Sequence, residues 1–404
     1  MLPAELDRRL AAIDAEMRSL RQDFHSFPEL AFEERRTAAR VADLLEGWGI
    51  ETHREIAGTG VIGVIRRGSG NRNIALRADM DALPIAEETG LSYASRNAGK
   101  MHACGHDGHT TTLLAAARVL AEAGEFDGTL TLIFQPAEED ISGARRMVEE
   151  KVLDRFGCDQ VYAIHNLPGL PFGEFALREG AIMAASDAAA ITVFGKGGHG
   201  AEPHNAVDPV VAAASIVMAL QTLVARSMPP HSGAVVTVGS FHAGTASNVI
   251  PATATMDLSI RSYTETDRAA LERLVRRIAR DQAASYGARA EVSFGHGYPS
   301  VVNTADETDL ARRAATAVVG PAGIRELPKP LGFSEDFAFL LQQRPGAYVL
   351  VGAGDEAERA PLHNPCYDFN DDLIARGAAY WVRLAETALA TPLGAAALTR
   401  VSGH

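Results

Sequence analysis

The chain has 404 residues, 47% of them hydrophobic and 22% charged, which is typical of a globular protein and long enough for two or three domains. Its formal net charge of −13 argues against a nucleic-acid partner, because phosphate binding needs a basic surface. No apolar run approaches the length of a bilayer-spanning helix and the charged start of the chain differs from a signal peptide, so we expect no membrane partner and a cytoplasmic location.

The cysteine content excludes a further class of protein. Cys104, Cys158 and Cys366 are odd in number and far apart in the chain. A disulfide framework is therefore not expected.

The first 185 residues have the pattern of an α/β domain. Apolar residues at three- and four-residue spacing predict helices, and short β-rich runs between turns predict strands. The predicted elements are helices over 4–26, 34–48, 107–123 and 143–152, and strands over 60–66, 73–79, 129–134 and 160–164.

Three of these strands end in side chains that can bind a metal. Asp79 and Asp81 close the strand 73–79, Glu139 follows the strand 129–134, and His165 follows the strand 160–164. Ligands gather beyond the carboxyl ends of strands in open α/β sheets. Each strand end alone has an alternative interpretation: the aspartates could cap a turn, the glutamate pair could be solvated surface, and the histidine could be structural. Three converging strand ends nevertheless favour a metal site.

The stretch Met-His-Ala-Cys-Gly-His-Asp-Gly-His, residues 101–109, opens the helix 107–123. Cys104 and His106 are two residues apart, and thiolate and imidazole are preferred ligands of zinc-like metals. A histidine-rich loop without metal is the alternative. His109, one helical turn beyond His106, is expected to pack in the helix rather than to bind metal.

A different pattern begins near residue 186. The order is β-α-β-β-α-β, which predicts a ferredoxin-like α+β domain inserted into the first. Its glycine-rich turn, 195–204, lacks the strand and helix context of a nucleotide-binding fingerprint. The predicted elements are strands over 188–194, 234–242, 252–261 and 289–295, and helices over 207–226 and 265–286.

The α/β pattern resumes at residue 298. Ser334 is a plausible N-cap for a helix starting within 332–337. The remaining predicted elements are helices over 304–318 and 371–390 and a strand over 347–351. The predicted domain organisation is thus 1–185 and 298–404 for a catalytic domain in two parts, and 186–297 for the inserted domain.

Several motifs in fixed order resemble one family. They are Asp-Met-Asp-Ala-Leu-Pro (79–84), the stretch 101–109, Gln-Pro-Ala-Glu-Glu (135–139), Ile-His-Asn (164–166), the turn 195–204 and Leu-His-Asn-Pro (362–365). The chain resembles bacterial N-acyl-amino-acid amidohydrolases of the hippurate hydrolase type, which are related to plant auxin-conjugate hydrolases and, more distantly, to carboxypeptidase G and aminoacylase metallopeptidases. The resemblance covers residues 20–390. It implies a mixed-sheet α/β hydrolase domain that holds two divalent metal ions (Zn, Mn, Co or Ni), a ferredoxin-like lid and dimerisation domain, and a homodimer or higher homo-oligomer.

The resemblance also implies roles for individual residues. Glu138 would be the general base, and His199, Asn248 and Arg261 would contact the substrate, the first two across a dimer interface. Relatives carry a His-x-Asp pair where this chain has Asp79, so no ligand role is carried over to that residue. The implied metal ligands are Cys104, which would bridge the two ions, and His106, Glu139, His165 and His363.

Two departures from the family pattern could alter the shape of the pocket. Residues 140–142, Asp-Ile-Ser, replace the glycines that usually follow the glutamate pair. Residues 257–259, Asp-Leu-Ser, precede Arg261 where relatives often have Gly-Thr.

The chemistry of amide hydrolysis fits these assignments. A pair of divalent ions lowers the pKa of a water and polarises the scissile carbonyl, and Glu138 can move the proton to the leaving amine. Cys104 must be a thiolate to bridge. Asp81 or Asp107 could orient a ligand histidine, as carboxylates commonly do. His199 is a candidate donor to the oxyanion, and Arg261 could clamp the α-carboxylate of the substrate.

The leading hypothesis is a metal-dependent amidohydrolase that cleaves small N-acyl-amino acids, such as hippurate-like or N-acetyl substrates. A di- or carboxypeptidase of the same fold is the first alternative. A thiol amidase with Cys104 as nucleophile and His106 as base, and a non-catalytic metal-dependent binding protein, are the others.

Overall fold

The computed structural model describes residues 1–140, 143–355 and 359–390. They form two compact units. Unit 1 contains Met1–Gly180, Val302–Pro328 and Phe339–His404, and unit 2 contains Ala181–Val301 and Lys329–Ala338. Part of the 140–142 departure lies outside the described residues.

Unit 2 includes a segment that the sequence analysis had assigned to the second catalytic part. Within Lys329–Ala338, the main-chain N–H of Leu331 donates to the carbonyl of Ile182 at 2.8 Å. The N–H of Ala184 donates to Phe333 in turn, also at 2.8 Å. These long-range hydrogen bonds hold the segment beside the first strands of unit 2. Local sequence patterns do not predict such long-range bonds.

The helices and strands lie close to the predicted ranges. Within the described residues, the helices are α1 (Pro3–Ser26), α2 (Arg35–Gly47), α3 (His106–Ala123), α4 (Gly143–Glu149), α5 (Val152–Arg155), α6 (Pro209–Thr222), α7 (Glu265–Ser285), α8 (Ala305–Val319), α9 (Ala338–Leu341) and α10 (Asp372–Ala388). In the same part of the chain, the strands are β1 (Glu51–Ile56), β2 (Gly60–Arg67), β3 (Asn73–Asp79), β4 (Gly128–Gln135), β5 (Gln160–Pro168), β6 (Phe175–Leu177), β7 (Gly180–Met183), β8 (Ala185–Phe194), β9 (Gly198–His199), β10 (Val235–Ala243), β11 (Val249–Ile250), β12 (Thr253–Ser262), β13 (Arg289–Tyr298), β14 (Val301–Asn303), β15 (Ile324–Glu326) and β16 (Gly346–Gly354).

Unit 1 is built on a mixed sheet with the strand order β1-β2-β4-β3-β5-β16-β6-β15. Strands β4, β3, β5 and β16 run parallel to one another, whereas β1, β2 and β6 pair antiparallel with their neighbours β2, β4 and β16. Every residue of β3 and of β16 is buried, as expected for central strands covered on both faces. The mixed α/β class is therefore confirmed.

Unit 2 contains a four-stranded antiparallel sheet of order β10-β12-β8-β13. With α6 after β8 and α7 after β12, the chain order is the predicted β-α-β-β-α-β of a ferredoxin-like sandwich. Along β12 buried and exposed residues alternate, because one face of the sheet packs on the helices. The side chain of Thr264 accepts a hydrogen bond from Asp267 N at 3.0 Å and caps the start of α7.

The expectation that no apolar run reaches bilayer length is wrong for one helix. Residues Pro209–Ser227 form a helix that is long and apolar enough to cross a membrane by length and composition, with a mean hydropathy of 1.6 and 28% of its residues buried. Ala212, Ile216 and Leu220 face the core of unit 2. The outer side is apolar too, with Val211 and Met218 exposed.

Two smaller predictions also differ from the structure. The strand β1 was not predicted, because its burial follows no alternation, and neither were the short strands β6, β7, β9, β11, β14 and β15. The helix predicted to start within 332–337 begins only at Ala338 and ends at Leu341. Ser334 is therefore not an N-cap, since the helix begins four residues later and the buried Ser334 hydroxyl makes no hydrogen bond within the described part of the chain.

Candidate metal centre

The carboxyl ends of three adjacent parallel strands meet in unit 1. Asp79, the last residue of β3, pairs in register with Gln135, the last residue of β4. β5 lies on the other side of β3 and carries His165. Glu138 and Glu139 follow β4 directly, so the strand ends that the sequence analysis singled out lie together.

Cys104 lies at the centre of the cluster. It precedes α3, and its sulfur belongs to two groups of three potential ligand atoms. Within each group, the three atoms all lie within 4.8 Å of one another. One group is Cys104 with His106 and His165, and the other is Cys104 with Glu139 and His363. The structure therefore brings together the five residues that the family resemblance assigns as ligands, with the thiol common to both groups.

Two histidines are oriented so that Nε2 faces the cluster. His106 Nδ1 is hydrogen-bonded to the main-chain carbonyl of Asp81 at 2.9 Å, and His165 Nδ1 to the carbonyl of Asn166 at 2.7 Å. Ligand histidines commonly donate their second ring nitrogen to a carbonyl in this way, which leaves the first as an acceptor. His165 Nε2 lies 3.4 Å from the Cys104 sulfur.

The remaining polar atoms support a cation at this position. Among the described residues, His106 Nε2 and Glu139 Oε1 are buried without a hydrogen-bond partner and lie 3.9 Å apart. His363 Nε2 is 3.2 Å from the same Glu139 oxygen, but without hydrogen-bond geometry. Buried polar atoms left without a partner are costly, and a divalent ion would satisfy them. The residues therefore fit the pair of ions that the family implies.

The electrostatics of the thiol lead to the same conclusion. Burial, together with the charges of Glu139, Glu138 and Asp79, raises the pKa of the Cys104 thiol well above its usual range. A cation next to the sulfur would reverse this effect, because metal ligation deprotonates a thiol. Without one the residue is a poor nucleophile, and its sulfur contacts His165 rather than His106. The geometry thus disfavours a thiol amidase.

His363 reaches the cluster from the loop between β16 and α10. Its backbone has a φ of 64°, in the left-handed region, and its N–H donates to the carbonyl of Ala103 at 2.7 Å. Since Ala103 precedes Cys104, this hydrogen bond fixes the loop directly against the residue that supplies the thiol.

Asp81 and Asp107 occupy different places. Asp81 Oδ1 lies 3.3 Å from His106 Nδ1, and its Oδ2 accepts a hydrogen bond from Glu139 N at 3.0 Å. Asp107 Oδ2 is 2.8 Å from His25 Nδ1 and 3.6 Å from the Arg21 guanidinium, both in α1. Of the two aspartates considered as orienting residues, Asp81 is the one that contacts a histidine of the predicted ligand set.

A buried network next to the cluster was missed by the sequence analysis. Asp79 is hydrogen-bonded to Arg77 and to His109 Nδ1, each at 2.6 Å. His109 Nε2 lies 2.6 Å from Asn166 Oδ1, and the amide of Asn166 donates to the Tyr367 hydroxyl at 2.7 Å. The available signal was Arg77, a charged residue inside a strand whose residues are all buried. Both ring nitrogens of His109 are hydrogen-bonded within this network, and its assignment as a packing residue stays a prediction.

The predicted substrate-binding residues belong to unit 2. His199 in β9 pairs with Val249 in β11, and the carbonyl of Asn248 accepts a hydrogen bond from Gly200 N at 2.8 Å. His199 and Asn248 are therefore neighbours, and both are exposed. Arg261 lies in β12, where its guanidinium donates to the hydroxyl of Ser186. The structure brings the first two together but holds Arg261 in the sheet.

A thiol, three imidazoles and a carboxylate at the ends of parallel strands in a mixed sheet define an α/β hydrolase with a metal centre. Comparison with known proteins gives the family. Residues 75–387 match the model of peptidase family M20/M25/M40, and the chain belongs to this family.

Relatives with known names align with this chain over nearly its whole length. Hippurate hydrolase of Campylobacter jejuni is 40% identical over 385 residues, which cover 95% of this chain and 98% of that protein. N-acetylcysteine deacetylase of Bacillus subtilis is 38% identical, over 92% of this chain and 97% of its own. The crystal structure of the Bacillus subtilis YXEP protein, described as a dinuclear metal-binding peptidase of the M20 family, has a TM-score of 0.82 at 34% identity and covers 94% of this chain and 99% of its own.

Proposed function

We propose that this protein is a metal-dependent amidohydrolase that cleaves the amide bond of small N-acyl-amino acids. The observation that carries the proposal is the Cys104 sulfur, which is shared by two groups of three ligand atoms. A shared ligand suits two neighbouring ions with open positions. The names of the hippurate hydrolase and N-acetylcysteine deacetylase relatives support an N-acyl-amino acid as substrate.

The residues of the cluster would hold two divalent ions, His106 and His165 on one side of Cys104 and Glu139 and His363 on the other. When bound, such ions supply a water of lowered pKa and polarise the amide carbonyl. Sulfur and imidazole ligands favour Zn or Co, while Mn and Ni also accept such a site.

Glu138 is proposed to move the proton. Its carboxylate lies within 4.8 Å of ligand atoms of His106 and Glu139, and the side chain is only 6% exposed. A carboxylate in this position can take the proton of the attacking water and deliver it to the leaving amine.

Three residues of unit 2 are proposed to bind the substrate. His199 and Asn248 are exposed neighbours and could reach the partner subunit's site in a dimer. His199 would donate to the oxyanion, which needs a preorganised donor. Arg261 would bind the α-carboxylate, for which the guanidinium fork is suited.

The proposal is tested with a panel of N-benzoyl- and N-acetyl-amino acids and dipeptides, assayed before and after exhaustive chelation. Chelation should abolish cleavage, and adding back Zn, Mn, Co or Ni one at a time should restore it and identify the metal. Cleavage that survives complete metal removal would refute the proposal. Dipeptides cut faster than N-acyl-amino acids would favour a peptidase instead.

Glu138→Gln gives a sharper test of the proton transfer. The amide keeps the shape of the side chain but cannot take a proton. We expect the variant to bind metal normally and to lose about 10²- to 10⁴-fold in kcat. A turnover close to that of the wild type would remove Glu138 from this role.

We also propose that unit 2 mediates self-association. The outer side of α6 exposes Val211 and Met218 to 49% and 70%, and β10 is an edge strand of the four-stranded sheet that pairs only with β12 within the described residues. Exposed apolar side chains and an unpaired strand edge are features of an interface. A homodimer that covers them would explain why α6 is apolar on both sides.

Charge on the outer side of α6 tests the dimer. Met218→Lys should shift the mass measured by light scattering from dimer to monomer. Tyr286→Lys is the matched control, since Tyr286 is an exposed aromatic residue at the end of α7. A wild-type protein that is monomeric at micromolar concentration would refute this proposal. We further propose a cytoplasmic location, which three free cysteines support and which cell fractionation tests.

A further inference from the structure

Glu34 is a buried carboxyl of unit 1 that does not belong to the metal cluster. The residue directly precedes α2, and its side chain has no exposed surface. One oxygen accepts a hydrogen bond from Ala137 N at 2.8 Å, and the other accepts from the Thr59 hydroxyl at 2.5 Å. Burying a carboxyl is costly unless its oxygens are bonded, and here both oxygens are used.

Ala137 is held in an unusual backbone conformation. Its φ is 54°, in the left-handed region, which costs a residue with a Cβ roughly 1–2 kcal/mol. It lies between the end of β4 and the pair Glu138–Glu139. Its N–H is bonded to Glu34, and its carbonyl accepts a hydrogen bond from Gly143 N at 3.0 Å. Both sides of the residue are therefore fixed.

The conformation of Ala137 sets the direction of the two glutamates. If φ returned to the ordinary negative range, the chain after Ala137 would rotate and carry Glu138 and Glu139 with it. Glu139 N is held by Asp81, and its carboxylate lies 3.2 Å from His363 Nε2. A rotation would therefore pull a ligand and the neighbouring base away from the cluster together.

We propose that Glu34 is a positioning residue, which holds Ala137 in the left-handed conformation and so aims Glu138 and Glu139 at the metal centre. The inference rests on the roles proposed above for those two glutamates. It assigns a function to a residue that precedes them by more than 100 positions and touches neither substrate nor metal.

The hydrogen bond, rather than the charge, carries this role. Burial and the nearby charge of Asp81 raise the pKa of Glu34 to about 7. A neutral acceptor oxygen can still take the N–H of Ala137. The conservative variant Glu34→Gln keeps such an oxygen, whereas Glu34→Ala removes it.

The test combines kcat, KM and metal affinity for a set of variants. Displacing reacting groups by about 1 Å can cost 10²-fold, so Glu34→Ala should lose about 10²-fold in kcat with a much smaller change in KM. Its metal affinity should fall about 10- to 100-fold, as it does when a supporting contact of a ligand is lost. Glu34→Gln should stay within about threefold of the wild type. Glu33→Ala is the matched control, because Glu33 is an exposed neighbour paired with Lys100.

A second substitution separates positioning from a general loss of stability. Glycine adopts positive φ without steric cost, so Ala137→Gly in the Glu34→Ala background should restore kcat about tenfold. Three results would overturn the inference. The first is a Glu34→Ala enzyme with wild-type kcat and metal affinity. The others are a loss of kcat that Ala137→Gly does not recover, and a Glu34→Gln enzyme as impaired as Glu34→Ala.

If Glu34→Ala does not fold, Thr59→Val tests the same contact, because it removes the hydroxyl that fixes the carboxyl. We expect a loss of about three- to tenfold in kcat, recovered by Ala137→Gly. Thr59→Val with wild-type kcat and metal affinity would then overturn the inference. Metal affinity of the apo-protein needs no substrate, so the role of Glu34 is tested even if the wild type cleaves no N-acyl-amino acid.

Discussion

Asp81→Asn should weaken metal binding more than it weakens the fold. Asp81 makes two side-chain contacts with proposed ligands, through Oδ1 to His106 Nδ1 at 3.3 Å and through Oδ2 to Glu139 N at 3.0 Å. The asparagine side chain has only one oxygen and can accept only one of these two contacts. Its NH2 group must then face the other donor, either His106 Nδ1 or Glu139 N. The main-chain carbonyl of Asp81 still holds His106 at 2.9 Å, so the site should survive in weakened form.

The expected magnitude follows from this partial loss. Removing one supporting contact of a metal ligand commonly costs about 10- to 100-fold in affinity, or roughly 1.4–2.8 kcal/mol. Apo-protein is titrated with zinc against a chelating competitor, and the free energy of unfolding is measured in urea without metal. Metal affinity should fall by that factor while the metal-free stability changes little.

Asp107→Asn is the matched control. Asp107 is buried between His25, at 2.8 Å, and Arg21, at 3.6 Å, so the substitution removes one buried counter-charge, while Arg21 keeps its pairs with Asp368 and Asp371 and His25 its pair with Glu87. Losing one partner of a buried charged network should cost about 1–3 kcal/mol of stability. Metal affinity of the folded variant should stay close to that of the wild type. Unchanged metal affinity in Asp81→Asn, or a larger loss in Asp107→Asn, would refute this division of roles.

Three further predictions concern the thiol, the stability at alkaline pH and the packing of α3. Because burial raises the pKa of Cys104, metal loading at neutral pH should release about one proton more in the wild type than in Cys104→Ser, as followed with a pH indicator. Burial lowers the pKa of His25, but the hydrogen bond of His25 to Asp107 helps to raise this pKa from 6.5 to about 9. The stability that the charged His25 adds is therefore fully present below pH 6.5 and is lost as the pH rises through 9. The difference in urea stability between the wild type and His25→Gln should therefore shrink from about pH 6 to about pH 10, and an unchanged difference would contradict the linkage. A Cβ on Gly108 would lie 2.4 Å from two ring carbons of Phe369, so Gly108→Ala should cost about 1–3 kcal/mol, and Phe369→Leu should reduce that cost in a double-mutant cycle.

Most of the cluster was predictable because its residues follow signals that are local in the chain. Asp79, Glu139 and His165 each follow a run of strand-forming residues, and parallel strands place their carboxyl ends at one edge. His363 was assigned only from the family resemblance. Its position depends on a long-range hydrogen bond to Ala103 and on a φ of 64°, and no periodicity reports either of them.

The supporting residues were harder to predict, because sequence periodicity reports which face is buried and not what a buried side chain contacts. Arg21 and His25 lie on the buried side of α1, where apolar residues are expected, and both are 0% exposed. Their partner Asp107 directly follows His106 in the chain, and only the structure shows that its carboxylate contacts α1 instead of a ligand. Ser334 fits the local pattern of a helix cap, but the next helix begins only at Ala338, and the carbonyl of the adjacent Phe333 accepts a long-range hydrogen bond from Ala184.

In this site, the proposed metal ligands differ from the neighbouring residues in whether their buried polar atoms have hydrogen-bond partners. Asp79, His106 and His109 have donor atoms close enough to hold an ion of their own. Arg77 and His109 already occupy the two oxygens of Asp79, and Asp79 and Asn166 occupy the two ring nitrogens of His109.

His106 Nε2 is the only one of these atoms, among the described residues, that is buried and without a partner. It lies 3.8 Å from Asp79 Oδ2 and 3.9 Å from Glu139 Oε1, which is likewise buried without a hydrogen-bond partner in the described part of the chain. These two unsatisfied atoms belong to residues of the proposed ligand set, whereas the two oxygens of Asp79 are hydrogen-bonded to Arg77 and to His109.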